Sequence, residues 1–256
     1  KKFFLPEKPD IAKHLFPQIL NSESTIYGYI SSEYIKDMGT PSRLERVSLD
    51  INSGKVDSLK FSNKKMVIFL DRDGVINKEV GHLKDVNEFE LLPGVALSIA
   101  RVNRLGILVV VVTNQPVISR GDITEVELRK IHNKMDTLLG AEGAYIDRLY
   151  YCPHHPDSGF ENEILDLKYK CECRKPTTGM LLKAEHDLNI SIKKSWMVGD
   201  STADIKFANN FGLRSVMVNT GHSGGDNKYS VVPDFVVTDL SQAINLILKE
   251  DGYDNK

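Results

Sequence analysis

Met66-Val67-Ile68-Phe69-Leu70-Asp71-Arg72-Asp73-Gly74 is the stretch that decides how the rest of the chain is read. Its apolar residues run on without alternation, so both faces of the segment are buried, as in a central parallel strand and unlike a half-solvated antiparallel one. The strand then breaks abruptly into two acids and a glycine. Downstream, residues 93–105 have helical spacing, with Pro93 at the start and Gly106 after the end. Residues 107–113 are Val-rich and apolar on both faces. Residues 124–139 form an amphipathic helix with Val126, Leu128, Ile131, Met135 and Leu138 on one side. A strand at 148–151 leads into a Pro-, Gly- and charge-rich excursion ending at Pro176. Then come a helix at 178–188, a strand at 195–198, a helix at 202–211 closed by Gly212, strands at 215–219 and 234–237, and a helix at 240–249. Strands alternating with helices predict an α/β domain with a parallel sheet, and right-handed crossovers put every strand's carboxyl end on one edge.

Composition narrows the function classes. The 256 residues carry 33 Lys+Arg against 35 Asp+Glu, a net charge of −2, which excludes a nucleic-acid binder relying on bulk electrostatics. Runs such as 66–70 and 107–112 are far too short to span a membrane. No signal-peptide stretch follows Lys1-Lys2, so the expected compartment is the cytoplasm. The three cysteines all lie between Cys152 and Cys173, which points to a local metal site and away from a disulfide scaffold. Residues 1–62 stand outside the alternation, with Ser53-Gly54-Lys55 and residues 62–65 reading as turn and linker. Two domains are therefore expected, 1–62 and 63–256.

The polar residues gather where the strands end. Asp71-Arg72-Asp73-Gly74 follows the first strand, Thr113-Asn114-Gln115 the second, and Gly199-Asp200, with Asp204 beyond it, the strand at 195–198. If these strands are neighbours, three acids and a threonine converge at the edge where open α/β sheets bind ligands. Clustered carboxylates repel one another and call for a divalent cation, and Mg²⁺ suits an all-oxygen site. A calcium-loop reading of Asp71-Arg72-Asp73-Gly74 fails because its glycine comes too early.

Taken in order, Asp71-x-Asp73-Gly74, Thr113, Lys175 before a helix and Gly199-Asp200-xxx-Asp204 resemble the four motifs of haloacid dehalogenase superfamily phosphatases. The resemblance implies a Rossmann-like parallel sheet flanked by helices. It implies Asp71 as the nucleophile that forms an aspartyl-phosphate, and Asp73 as general acid and then base. Asp71, Asp200 and the backbone carbonyl of Asp73 would hold Mg²⁺, and Thr113 and Lys175 would bind phosphoryl oxygens. Asp204 would hold metal-bound water, or else is simply a first-turn helix acid.

Cys152-Pro153-His154 and Cys171-Glu172-Cys173 supply three thiols and an imidazole, a closed structural zinc set, with His155 as a competing ligand. The longer string Cys152-Pro153-His154-His155-Pro156, then Cys171-x-Cys173-Arg174-Lys175-Pro176, resembles the D-glycero-D-manno-heptose 1,7-bisphosphate phosphatases and the related histidinol phosphatases. This resemblance covers residues 64–250 and implies a zinc-binding loop, no large cap domain and a phosphorylated-sugar substrate. Glu79, Gly81 and His82 would form a substrate-selecting loop. Asn114, Gln115 and Arg174 would also contact substrate. Pro116 and Ser201 depart from the family pattern, Ser201 standing where a lysine can contact substrate.

Asp37-Met38-Gly39-Thr40-Pro41 resembles the carboxyl end of sugar-phosphate nucleotidyltransferases, whose nucleotide-binding glycine-rich start has no counterpart here. Residues 1–62 are therefore expected to be the tail of such a domain plus a linker, from a truncated fusion or pairing, which would also account for the absent initiator Met. A heptose bisphosphate phosphatase supplies the sugar 1-phosphate that a nucleotidyltransferase activates, which favours the heptose over histidinol phosphate.

Overall fold

A computed structural model of the chain describes residues 4, 6–22, 24–29 and 31–253. It divides into two compact units, Lys1–Ser31 and Ser32–Lys256. The first holds a helical stretch, Ile11–Leu15 continuing into α1 (Phe16–Leu20), begun by the Asp10 side chain accepting from the Lys13 N–H.

The second unit opens on α2 (Pro41–Asn52) and α3 (Lys55–Ser58). Thr40 caps α2 and Pro41 occupies its first turn, while Gly54 at φ +79° turns the chain into α3. The sequence pattern gives no helix here. The structure shows why: of α2 only Val47 and Asp50 are buried, while Leu44, Leu49 and Ile51 stay exposed, so no clean apolar stripe exists to be read. Asp50 accepts from Tyr34 Oη at 2.8 Å, Lys55 Nζ donates to the Asn103 carbonyl at 2.8 Å, and Leu59 joins the core beside Val67 and Leu188. Residues 32–62 thus pack onto the α/β body.

That body is a six-stranded, all-parallel sheet of β1 (Val67–Leu70), β2 (Leu108–Asn114), β3 (Arg148–Cys152), β4 (Trp196–Gly199), β5 (Arg214–Val218) and β6 (Phe235–Val237). Their order is β3-β2-β1-β4-β5-β6, a doubly wound sheet whose strand order reverses beside β1. The helices are α4 (Val95–Arg104), α5 (Glu125–Ala141), α6 (Gly179–Leu188), α7 (Thr202–Phe211) and α8 (Leu240–Glu250). Alternate side chains of β1 enter two cores: Ile68 and Leu70 join Ile99, Ile131 and Ile244, and Val67 and Phe69 join Leu181, Met197 and Phe207. Helix ends follow local chemistry. Thr124 and Glu127 form a reciprocal capping box on α5, and Gly212 at φ +80° closes α7.

Leu70 lies level with Val111 on β2 and Val198 on β4. Asp71, Thr113 and Asp200 therefore leave one edge of three adjacent strands. The segments between β1 and α4 and between β3 and α6 contain no helix or strand beyond the single 3-10 turns Val86–Glu88 and Leu165–Leu167, so among the described residues no large cap domain covers that edge. No described helix is long and apolar enough to cross a membrane.

Candidate active site

Lys175 reaches the sheet edge from the loop before α6. Its Nζ lies 2.8 Å from Asp71 Oδ2 and 2.6 Å from Asp204 Oδ1, and its side chain is 2% exposed. Asn114 fixes the Lys175 backbone from both sides, accepting from its N–H at 3.0 Å and donating to its carbonyl at 3.2 Å. Asp204 is in turn held by Ser201, whose N–H and hydroxyl both donate to Oδ2, at 3.1 and 2.6 Å. Asp204 is thus the first-turn acid that caps α7, and its other oxygen anchors Lys175.

Charge is crowded here. Burial pushes Asp71 up to about 8 against the pull of Lys175, with Asp204 and Asp200 adding repulsion. Burial, then Asp204, pushes Asp200 up to about 7, although the His222 N–H donates to its Oδ2 at 2.6 Å. Asp71, Asp200 and Asp204 bring one oxygen each within 4.8 Å of one another. Carboxylate oxygens crowded this closely, two of them on the raised Asp71 and Asp200, make a donor set suited to a hard divalent cation, so the residues fit Mg²⁺. Gly74, at φ +75°, leaves space that any side chain would take from the Asp200 carboxylate.

Asp73 lives under the opposite regime. Arg72, fully buried, lies 2.9 Å from both carboxylate oxygens through Nη2, and Asn77 Nδ2 and Gln115 Nε2 each donate at 2.9 Å. Burial opposes ionisation, yet Arg72, Asn77 and Gln115 outweigh it and hold this carboxyl below the usual carboxylate range. Arg72 Nη1 also donates to His132 Nε2 at 3.2 Å. Burial first, then Arg72, pushes that imidazole down to about 3, so it accepts as a neutral ring. Gln115 further donates to Thr113 Oγ1 at 2.9 Å and accepts from Arg72 at 3.2 Å, which places it beneath Asp73, engaged on all sides. Arg72 and His132 carry no motif. An arginine between two acids reads as solvated in sequence, and only the fold reveals its burial.

Above these groups lie two adjoining cavities. The inner one, about 310 Å³, is lined by Asp71, Asp73, Thr113, Asp200 and the loop residues Glu79, Gly81 and His82. Glu79 accepts from the Gly81 N–H and faces His222 across the mouth at 4.0 Å, while His82 contacts Arg120. Burial raises the Glu79 pKa, and burial followed by Arg120 lowers that of His82. The outer cavity, about 410 Å³, is lined by His155, Lys170, Arg174 and Tyr229 among others.

The loop over the site converges on four ligating atoms. Cys152, Cys171 and Cys173 have sulfur–sulfur distances of 3.2–3.4 Å, and His154 Nδ1 is 3.2 Å from Cys173 Sγ and 3.7 Å from Cys152 Sγ. A tetrahedron of zinc–sulfur and zinc–nitrogen bonds has edges of about 3.5–3.8 Å, so this set fits zinc with a slight contraction. His154 Nε2 meets Tyr169 Oη at 2.8 Å, the kind of outer contact that fixes a ligating imidazole's orientation. His155, the competing ligand in sequence, turns away toward Asp157. Arg174 follows directly and donates to the His154 carbonyl at 3.2 Å, tying it to the loop.

The chain is similar to known phosphatases in sequence and in fold. A HAD-hydrolase-like family model matches residues 172–243. The D-glycero-beta-D-manno-heptose-1,7-bisphosphate 7-phosphatase of Yersinia pestis is 40% identical over 156 residues, 60% of this chain and 80% of that one. Its counterpart in Photorhabdus laumondii is 37% identical over 183 residues, 71% of this chain and 88% of that one. The crystal structure of D,D-heptose 1,7-bisphosphate phosphatase from B. bronchiseptica, complexed with magnesium and phosphate, superposes with a TM-score of 0.64 at 32% identity, covering 72% of this chain and 99% of that one. Similar in sequence over most of each relative's length and similar in fold, the chain belongs to the D-glycero-D-manno-heptose-1,7-bisphosphate 7-phosphatase family of haloacid dehalogenase-like hydrolases.

Proposed function

We propose that this phosphatase removes the 7-phosphate of D-glycero-D-manno-heptose 1,7-bisphosphate, with Asp71 as nucleophile. The observation that carries the reading is the Asp71–Lys175–Asp204 chain set beside Asp200 at the inner of two adjoining cavities. An Asp71 oxygen attacks phosphorus, the bond from phosphorus to the sugar oxygen breaks, and Asp73 delivers a proton to that oxygen. Water then attacks the aspartyl-phosphate, Asp73 takes its proton, and the bond between phosphorus and Asp71 breaks to release phosphate. Held by Arg72, Asp73 is set to accept a proton; the negative charge of an arriving phosphate acts against Arg72 and favours the protonated form needed first. Thr113 and Lys175 bind the phosphoryl oxygens. Glu79, Gly81 and His82 shape the sugar-facing wall, Asn114 holds the Lys175 backbone, and Gln115 steadies Asp73.

Asp71, Asp200 and the Asp73 carbonyl would hold Mg²⁺, which when bound neutralises charge between phosphate and carboxylates. Cys152, His154, Cys171 and Cys173 would hold Zn²⁺ and so order the loop that presents Arg174 and Lys175. Because that site needs reduced thiols, we place the enzyme in the cytoplasm. Residues 1–62 we read as a nucleotidyltransferase-like tail whose Asp37-Met38-Gly39-Thr40-Pro41 now serves to start α2. A phosphate-release assay over both anomers of the heptose bisphosphate and histidinol phosphate tests the reading. Selective turnover of a heptose bisphosphate supports it, and preference for histidinol phosphate overturns it.

A further inference from the structure

Two cations, Arg174 and Lys228, line both cavities without being consumed by the catalytic carboxylates; Lys175, which also lines both, is held by Asp71 and Asp204. Lys228 sits in no motif. It is delivered by the loop after β5, which the structure fixes at several points. The Asp226 carboxylate accepts from the Thr202 N–H at 2.8 Å and its hydroxyl at 2.7 Å, and the Tyr229 N–H donates to Thr202 Oγ1 at 3.2 Å. Lys206 Nζ stacks 4.5 Å from the Tyr229 ring centroid. Nearer the metal-ligand side, the Gly224 N–H donates to the Asp200 carbonyl at 2.8 Å. Lys228 therefore stands between two tethered residues, and Asp226 is satisfied by Thr202 and needs nothing from it.

The start of α7, which forms this wall, offers Ser201, Thr202, Ala203 and Asp204 and no cation of its own. Ser201 is engaged in capping through Asp204. Lys228 makes no ion pair among the described residues, and the one carboxylate lining the outer cavity, Asp157, lies against His155. The outer cavity is thus lined by Arg174, Lys228 and Lys170, an excess of positive charge in a space of about 410 Å³ that opens onto the nucleophile's cavity.

We propose that Lys228 is a specificity-determining residue which, with Arg174, binds the phosphate that is not cleaved, so that this enzyme selects doubly phosphorylated sugars. The inference rests on the heptose bisphosphatase reading and assigns the anchoring charge to a loop outside the four motifs. A substrate bridging the cavities places its reacting phosphate over Asp71 and its second phosphate between the two cations, where a charge-assisted contact discriminates strongly against a substrate lacking it.

The test compares heptose 1,7-bisphosphate with heptose 7-phosphate, which shares the scissile end and lacks the second phosphate. In Lys228→Met the ratio of kcat/KM for the bisphosphate to that for the monophosphate falls about ten- to a hundredfold, through KM for the bisphosphate and not through kcat. Lys228→Arg restores most of the ratio. A ratio unchanged in Lys228→Met, while the unaltered enzyme does prefer the bisphosphate, overturns the inference and leaves the functional reading standing. An unaltered enzyme that does not turn over the bisphosphate overturns both.

Discussion

The floor and the roof of this site are built on different principles. Asp71, Thr113 and Asp200 leave the ends of three hydrogen-bonded strands whose register fixes them before any ligand arrives. Arg174 and Lys175 come instead from the 153–178 excursion, which has no strand and one short 3-10 helix, Leu165–Leu167. That excursion carries three of the four clustered Cys and His side chains, the fourth being Cys152 at the end of β3. It is tied to the body by a few links, such as the Ile164 N–H donating to the Ser119 carbonyl at 3.0 Å. The floor has rigidity and too much negative charge. The roof supplies the missing positive charge and has little rigidity of its own. Each remedies the other's defect, and Lys175, buried between Asp71 and Asp204, is where they meet.

Breaking the floor should abolish chemistry and spare the fold. Asp71→Asn lowers phosphate release by about 10⁴-fold or more, the effect expected of removing the proposed nucleophile. Burial pushes Asp71 up to about 8, so above the unfolded value near 4 the native state bears the cost of ionising a buried group, a cost fully present above pH 8. Asparagine carries no such cost, and Lys175 retains Asp204. The urea midpoint of Asp71→Asn at pH 8 therefore equals or exceeds that of the unaltered chain. A clear fall would mean that the attraction of Lys175 outweighs burial.

Breaking the roof should do the reverse and blur positions without removing a reacting group. Cys171→Ser leaves an incomplete ligand set, so the zinc proposed for the unaltered protein is absent by metal analysis, the loop loosens, and KM for the bisphosphate rises about tenfold or more as Arg174 loses its fixed place. Unchanged KM with the metal gone would show that contacts such as Ile164 to Ser119 suffice to hold the loop.

The same contrast explains what could be read from sequence. Strands β1, β2 and β4 declared themselves because burial on both faces leaves no polar alternation, and most helix ends because Thr124, Gly212 and Pro93 carry local signals. The strand-end acids were legible because their chemistry sits next to an apolar run. Helix α2 was not, since it buries only Val47 and Asp50. Nor was the support of Asp73: Arg72 and Gln115 become ion-pair and hydrogen-bond partners only once β1 and β2 lie side by side, and His132 reaches Arg72 from a helix sixty residues away. Lys228 lies in the loop after β5 and comes to line the same cavities as Arg174 only through the fold.

The smallest effect separates the floor's two carboxylate regimes. Asp71 and Asp200 are raised to about 8 and about 7, chiefly by burial, whereas Asp73 is held low by Arg72. In the metal-free protein the two raised groups cost stability progressively as pH climbs from about 4 through 8, because the unfolded chain ionises them freely and the folded chain resists. A bound divalent cation holds both ionised and removes that cost. Mg²⁺ affinity therefore rises with pH through the 7–8 range, and saturating Mg²⁺ lifts the melting temperature by a few degrees more at pH 8 than at pH 6. Asp73, already ionised across that window, contributes nothing to the difference. A thermal shift by Mg²⁺ that is equal at both pH values would mean that Lys175 alone compensates the acids, leaving the cation no role in the charge balance of the floor.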